Sequence, residues 1–361
     1  MRLLGIETSC DETSVAVIDE QGRVLANVIA SQIERHRPFG GVVPEIASRE
    51  HLEHLMPLVE KALAEAGIAR DRIDAIAVTV GPGLIGALLV GVAAAQGLAW
   101  GLGIPMIPVN HLEGHIVSPW LQRDGEARSL PSRFLSLVVS GGHSSIYEVE
   151  AGDPPRVRMI NRTRDDAAGE VFDKVAKFLG LPYPGGPHVE RVARTGDQSR
   201  FPFPVARFKD DTLDFSFSGL KSNAIRLARQ EGLAGRGEEA GQKLADFCAS
   251  FQRAIGDQIL DRLDKLYSQL RSEGHVPAEL GLAGGVAANT MLRERVAAWC
   301  AERGIIARLP EKRFCTDNAA MIAFAGLYLH GARGAEDPRR QRAASRMAVG
   351  ADASRVLESG V

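Results

Sequence analysis

Cysteine is scarce in this chain. There are four in 361 residues, Cys10, Cys248, Cys300 and Cys315, and none stand at a CxxC spacing. That excludes a disulfide frame and a four-cysteine zinc site, and it suits a reducing compartment. Net charge is scarce too: 43 Lys and Arg against 45 Asp and Glu leave −2 at pH 7. Any contact with RNA must then come from a local patch or a basic partner. Met1-Arg2 runs straight into a short apolar strand, so no signal peptide is expected. The longest apolar stretch, Gly83 to Trp100, is broken by glycines and carries Gln96. It reads as a buried helix of small residues rather than a membrane span. A cytoplasmic protein with no membrane partner is expected.

What is present supports a sizeable fold. Hydrophobic residues make up 45% of the chain and charged ones 24%, enough for a full core and two domains of ordinary size. Residues Arg2–Glu7, Thr13–Asp19 and Arg23–Ser31 read as three strands. An amphipathic helix through Ile46, Leu55, Val59, Leu63 and Ala66 follows and stops at Gly67. A buried strand (Ala75–Val80), a helix (Leu84–Trp100) and a short strand (Ile104–Val109) come next. The pattern then restarts with Arg133–Ser140, Ser144–Glu150 and Arg156–Ile160, and helices at Ala168–Leu179 and Gly241–Ser272. A strand (Leu280–Ala283), a helix (Ala287–Arg303), a short strand (Ile305–Leu309) and a last helix (Asp317–His330) complete it. The repeat predicts a first lobe over residues 1–110 and a second over 111–330, with a cleft between them. The second lobe carries an insertion over roughly 181–241, and such long irregular segments are usually functional. The composition shift after Gly331 predicts a flexible tail over 331–361, mildly basic through Arg339, Arg340, Arg342 and Arg346.

The chemistry concentrates around Asn110-His111-Leu112-Glu113-Gly114-His115. Two histidines four apart share one helix face, where they either bind one metal ion or form only a polar surface. They follow a strand, and ligands of open α/β sheets bind at strand carboxyl ends. A third ligand must come from elsewhere, and Asp317, at an expected helix start, is the candidate. The order His-x-Glu-x-His turns Glu113 about 100° round the helix from its place in the zinc-protease motif. Gly114 costs the segment about 1 kcal/mol of helix propensity. Ser140-Gly141-Gly142-His143 either lines an anion nest or forms a plain hairpin. Tyr183-Pro184-Gly185-Gly186-Pro187 either clasps a ribose or base or is a structural turn. Asp11 and Glu12 lie in the first strand-to-strand turn, and Asp173 lies one turn inside its helix, where dipole compensation does not explain it. His51 and His54, three apart on the first long helix, read as solvent-facing, while His143 and His188 in glycine-rich turns could touch a ligand.

The duplicated α/β architecture resembles the superfamily of actin, sugar kinases and heat-shock chaperone ATPases. In that superfamily the first turn of each lobe holds phosphates and a later Gly-Gly turn, here Gly284-Gly285, holds adenosine. A more specific resemblance rests on many segments in one order: Gly5–Thr13, Gly40–Glu45, Gly81–Leu84, His111–His115, Ser140–His143, Asp165–Glu170, Phe172–Lys174, Tyr183–Pro187, Asp214–Lys221, Ala283–Asn289 and Cys315–Asn318. Together they resemble the TsaD family, also called Gcp-type or Kae-type, in its bacterial branch. The resemblance implies transfer of a threonylcarbamoyl group from threonylcarbamoyl-AMP to N6 of adenosine 37, in tRNAs reading codons that begin with A, with release of AMP. It implies metal binding by His111, His115 and Asp317, the metal being Fe(II) or else Zn. It also implies adenylate binding by Val138, Val139, Ser140, Gly141, Gly142, Asp173, Gly186, Glu190 and Asn289. Implied partners are tRNA, a TsaB-like paralogous subunit, a TsaE-like ATPase and a TsaC-type enzyme that supplies the adenylate. The general base stays open among Asp11, Glu12 and a metal-bound water.

Three other readings remain at this level. A kinase or ATPase of the same fold would usually place a catalytic Asp at the start of the second lobe, where this chain has Ser140-Gly141-Gly142. A metalloprotease of the O-sialoglycoprotein endopeptidase kind would cleave peptides in a chelator-sensitive way. A non-catalytic scaffold would have lost the metal ligands.

Overall fold

The duplication expected from the strand triplets returns as two sheets of identical order. The computed structural model describes residues 1–121, 130–152, 155–206, 208, 210, 212–333 and 337–350. Its elements begin with β1 (Arg2–Glu7), β2 (Glu12–Asp19), β3 (Val24–Ser31), α1 (Ile33–His36), α2 (Pro44–Ala66), β4 (Ala75–Gly81), α3 (Ile85–Leu102), β5 (Met106–Asn110) and α4 (His111–Val117). They continue with β6 (Arg133–Val139), β7 (Ser144–Glu150), β8 (Arg156–Arg162), α5 (Ala168–Leu179), α6 (Gly185–Ala193), α7 (Ser218–Gln230) and α8 (Gly241–Ser272). The last are β9 (Glu279–Ala283), α9 (Thr290–Glu302), β10 (Ile306–Arg308) and α10 (Ala319–Arg333). The sheets run β3-β2-β1-β4-β5 and β10-β9-β6-β7-β8. In the first, β1–β2 and β2–β3 pair antiparallel, while β1–β4 and β4–β5 pair parallel. In the second, β6–β9 and β9–β10 are parallel. Each sheet is thus a strand triplet extended by two crossover strands, and the crossovers supply the helices that cover it.

The chain divides into two compact units: Met1–Arg133 with Val149–Arg158 and Pro310–Val361, and Phe134–Glu148 with Met159–Leu309. This differs from the expected boundary at residue 110, because α4 and α10 both join the first unit. The N-terminus of α10 is docked on the triplet: Ala319 N–H donates to Ser14 Oγ at 2.9 Å and Ala320 N–H to Asn27 Oδ1 at 3.2 Å. Gly5 on β1 permits the approach, since a Cβ there would lie 2.3 Å from Ala319 O. The tail also differs from expectation. Residues 337–350 pack on this unit: Ala344 N–H donates to Val80 O at 2.8 Å, and Met347 is only 9% exposed within its core. Residues 334–336 and 351–361 of the expected tail lie outside the described residues.

Helix α3 was expected to be buried, yet it is buried on one side only. Ala87, Leu88, Gly91, Val92, Ala95 and Ala99 face inward, while Leu89 is 53% and Trp100 69% exposed. In the second unit the expected irregular insertion contains α6 and α7. Its phenylalanines explain its composition: the Phe201 ring meets Phe247 of α8, and Phe203 meets both Phe247 and Phe251, all edge to face.

Candidate functional site

Asn110, the last residue of β5, caps α4: its Oδ1 accepts from Leu112 N–H at 2.9 Å. The helix runs two turns despite its glycine and is buried throughout. Gly114 has a packing role. A Cβ there would lie 2.8 Å from Ile322 Cδ1 and 3.0 Å from Met321 Cγ, so its absence lets α4 lie against α10. Asn318 in turn caps α10 by accepting from Met321 N–H at 3.0 Å, which fixes the preceding Asp317 beside the imidazoles.

The expected three residues do come together. Asp317 Oδ1 lies 3.0 Å from His115 Nε2 and 3.5 Å from His111 Nε2. One donor atom from each of the three residues fits within 4.8 Å of the others. The two rings are edge to face at 4.8 Å between centroids. Behind them stands Glu7, the last residue of β1, to which the sequence alone assigned no role. Its Oε2 accepts from His111 Nδ1 at 3.0 Å and from Thr79 Oγ1 at 2.6 Å, while Oε1 accepts from Ser9 N–H at 2.5 Å. This fixes the His111 tautomer and leaves Nε2 to face Asp317. The donor set fits a divalent transition metal: two imidazoles and a carboxylate, backed by a second carboxylate. Burial opposes protonation of His111, but Asp317 and Glu7 outweigh it and push its pKa up to about 9. Burial likewise acts to raise Glu7, but the His111 charge and hydrogen bond hold its carboxyl below the usual range. The centre therefore favours a positive charge between its carboxylates. Glu113 is outside this group. It is buried, and its Oε1 accepts from Gly350 N–H at 3.0 Å.

Asp11 and Glu12 sit close enough for the Asp317 charge to act on both. Burial, with Asp317 adding to it, raises Asp11, and burial with Asp11 and Asp317 pushes Glu12 up to about 8. Glu12 Oε1 accepts from Ser31 Oγ at 2.8 Å. Its Oε2 is buried with no hydrogen-bond partner among the described residues. His51, expected at the surface, is buried: its Nδ1 lies 2.7 Å from Thr13 Oγ1 and its Nε2 2.9 Å from Cys10 O. It pins the turn that carries Asp11 and Glu12. His54 is partly exposed beside Glu50.

In the second unit the expected adenylate residues form a closed circuit of contacts. Val138 and Val139 end β6, fully buried, and Ser140 opens the turn of Gly141 and Gly142, where a Cβ would meet nothing. Ser140 O accepts from Gly169 N–H at the start of α5. Along α5, Asp173 Oδ1 accepts from Gly185 N–H at 2.7 Å and so holds the start of α6, where Gly185 and Gly186 are helical rather than a turn. Glu190 on α6 accepts from Thr290 N–H at 3.1 Å. Asn289 caps α9 through Leu292 N–H at 3.0 Å, and its Nδ2 donates to Gln252 Oε1 at 3.2 Å. Gly284, at φ +89°, returns the path to β6, since a Cβ there would lie 2.4 Å from Val139 O. Asp165 and Asp166 answer a different need. Asp165 accepts from the N–H groups of Phe217 and Ser218, and Asp166 pairs with Lys174 and Lys221. The acidic segment thus ties the 214–221 segment to the start of α5.

This fold recurs in solved structures. HypF from T. kodakarensis superposes with a TM-score of 0.58 at 14% identity, over 92% of this chain and 48% of that one. Full-length HypF in a phosphate- and nucleotide-bound form gives 0.53 at 13%, over 91% and 55%. The chain has the two-sheeted α/β fold of the actin, sugar kinase and chaperone ATPase superfamily, here carrying a His-His-Asp cluster. The family profile of TsaD, tRNA N6-adenosine threonylcarbamoyltransferase, matches residues 23–324. Proteins named tRNA N6-adenosine threonylcarbamoyltransferase are similar over nearly the whole chain. One from Anaeromyxobacter sp. (strain Fw109-5) is 49% identical over 93% of this chain and 97% of its own length. One from Moorella thermoacetica is 49% identical over 90% and 91%. The chain belongs to the TsaD family and is a transferase.

Proposed function

We propose that this protein transfers the threonylcarbamoyl group from threonylcarbamoyl-AMP to N6 of adenosine 37, in tRNAs reading codons that begin with A. The convergence of His111, His115 and Asp317 within 4.8 Å carries the reading, because those are the residues the family resemblance assigns to the metal. The metal would be Fe(II) or Zn. When bound there, it would supply Lewis acidity to a phosphate or carbonyl oxygen of the donor. The circuit from Ser140 through Asp173, Gly186 and Glu190 to Asn289 would hold the adenylate, with the Gly141-Gly142 backbone open to an anion. The N6 lone pair forms the new bond to the carbamoyl carbon, the bond from that carbon to the phosphate oxygen breaks, and AMP leaves with the electron pair. The amine must also lose a proton. Glu12, with its pKa pushed up to about 8, is matched to accept it near neutral pH, and Asp11 stands beside it. An exocyclic aromatic amine is a weak nucleophile, so positioning and electrophile activation should outweigh base strength.

The partners follow from the same reading. A groove of about 560 Å³ between α2 and α3 is lined by Leu52, Leu55, Met56, Leu89, Val90 and Leu98. Leu52 is 71% exposed there, which supports a protein occupant. A TsaB-like paralogue of the same fold would present an equivalent pair of helices to this one. A TsaE-like ATPase and a TsaC-type adenylate supplier complete the cytoplasmic set. The test is mass analysis of nucleosides from unmodified tRNA incubated with threonylcarbamoyl-AMP, this protein and those partners. Threonylcarbamoyladenosine at position 37 is expected; an unmodified adenosine 37, where a related complete set gives product, would overturn the assignment.

A further inference from the structure

Two side chains of the α4 segment, Asn110 and Glu113, take hydrogen-bond partners from the far end of the chain. Gln96 Nε2 on α3 donates to Pro338 O at 2.7 Å and Gln341 O at 3.1 Å. Ala344 then donates its N–H to Val80 O at the end of β4, and Gly81 lets the backbone come this close, since a Cβ there would lie 2.3 Å from Ala344 O. Met347 enters the core. The segment next crosses Asn110, the register partner of Gly81 on β5, whose Nδ2 donates to Ala348 O at 3.1 Å and Met347 O at 3.4 Å. It reaches Glu113 last, through the Gly350 N–H.

Asn110 is the telling residue. Its Nδ2 is held by carbonyls of residues 347 and 348 while its Oδ1 caps the helix that presents His111 and His115. An amide whose nitrogen is fixed this way cannot turn, so the capping oxygen stays aimed at Leu112 N–H. Glu113, between the two histidines in sequence, is fixed from the same segment. We propose that residues 337–350 are a positioning strap for the metal centre, acting through Asn110 and Glu113 to set the orientation of α4. This rests on His111, His115 and Asp317 being the metal ligands. Outer partners of metal ligands commonly change affinity by about 10- to 100-fold.

The test is Zn(II) affinity, measured on the metal-free full chain by competition with a chromophoric chelator, alongside the melting temperature without metal. Asn110→Ser keeps a capping oxygen but loses the donor to the strap, and Glu113→Leu loses the acceptor. Each is expected to weaken Zn(II) binding by about three- to tenfold, less than the loss of a partner bonded directly to a ligand. Glu113→Gln, which keeps an acceptor, should restore it. Leu266→Ala, a buried change on α8 in the second unit, should lower the melting temperature without altering affinity. A chain ending at Glu336 should lose at least as much affinity as Asn110→Ser. If that chain does not fold, Asn110→Ser and Glu113→Leu decide; unchanged affinity in both overturns the strap. His111→Ala separates the two levels. If it binds Zn(II) as tightly as the intact protein, the metal centre itself fails and the strap with it. If it loses binding while the strap variants keep theirs, only the strap fails.

Discussion

His115 Nε2 and Asp317 Oδ1 meet at 3.0 Å although 202 positions separate them in the chain. Two unlike helices make that meeting possible. One begins at the end of β5 and carries both imidazoles; the other docks its capped N-terminus on the strand triplet and leaves the aspartate at its mouth. Replacing either Asp317 or His111 by Ala should therefore lower metal affinity by at least about 100-fold, more than the loss of an outer partner. Elemental analysis after dialysis against a weak chelator measures it, and retained stoichiometric metal in both variants would rule the centre out.

Glu7 provides the graded version of the same experiment. Its carboxylate fixes the His111 tautomer and is itself held by Thr79 and the Ser9 N–H. Glu7→Gln should weaken metal binding by about 10- to 100-fold, and Thr79→Val by less, because Thr79 acts one bond further out. An inverted order, with Thr79→Val the more damaging, would mean that Glu7 serves the fold rather than the ligand.

The contrast between the histidine pair and Glu7 shows what the sequence could and could not carry. A His-x-x-x-His spacing on a helix after a strand is a local pattern, and the strand triplets repeat visibly, so the pairing of the two imidazoles and the duplication were both legible. Glu7 was not, because its meaning depends on β1 lying next to β4 and on a helix from residue 111 packing above them. His51 failed for a similar reason. Its face of α2 covers the β1–β2 turn, and only tertiary packing reveals that Thr13 and the Cys10 carbonyl wait there. Composition missed the docking of residues 337–350: two apolar side chains, Ala343 and Met347, and a few backbone hydrogen bonds seat this segment, too few to leave a periodic signal.

Glycine substitutions separate close packing from helix propensity. At Gly114 an added methyl gains about 1 kcal/mol of propensity but meets Ile322 Cδ1 at 2.8 Å, a flexible side-chain end. Overpacking of that kind costs about 1–3 kcal/mol, so Gly114→Ala should be destabilising by about 1 kcal/mol net. At Gly5 the obstacle is the backbone oxygen of Ala319 at 2.3 Å, which cannot yield without moving α10. Gly5→Ala should cost distinctly more, and it should also weaken metal binding by displacing Asp317. Urea unfolding of the two variants gives the comparison; equal losses would mean that α10 shifts freely.

The α2–α3 face offers a prediction that leaves the metal untouched. Leu52 is 71% exposed and lines the apolar groove, so Leu52→Glu should leave the isolated protein's melting temperature within about 1 °C, as surface changes usually do. If a paralogous subunit docks there, the charge buried at its centre should weaken association by at least about tenfold. Isothermal titration with the paralogue reads this directly, and unaltered affinity would send the partner to another surface.

Glu12 gives the pH dependence. Its pKa rises from 4.5 to about 8 in the fold, chiefly through burial, so the folded protein prefers the neutral acid. A raised folded pKa stabilises the fold fully below about pH 4.5, and that contribution is lost as pH climbs through 8. Glu12→Gln mimics the neutral form permanently. It should raise the melting temperature at about pH 9 by several degrees, since 1 kcal/mol corresponds to about 2–4 °C in a domain of this size. Well below pH 4.5, at about pH 3, the variant and the parent should melt together, because the parent is then protonated in both states. The same variant cannot accept the N6 proton, so the rate of adenosine modification should fall at every pH and lose any rise through pH 8. A variant that is no more stable at pH 9, yet keeps the parent's pH–rate profile, would remove Glu12 from both roles.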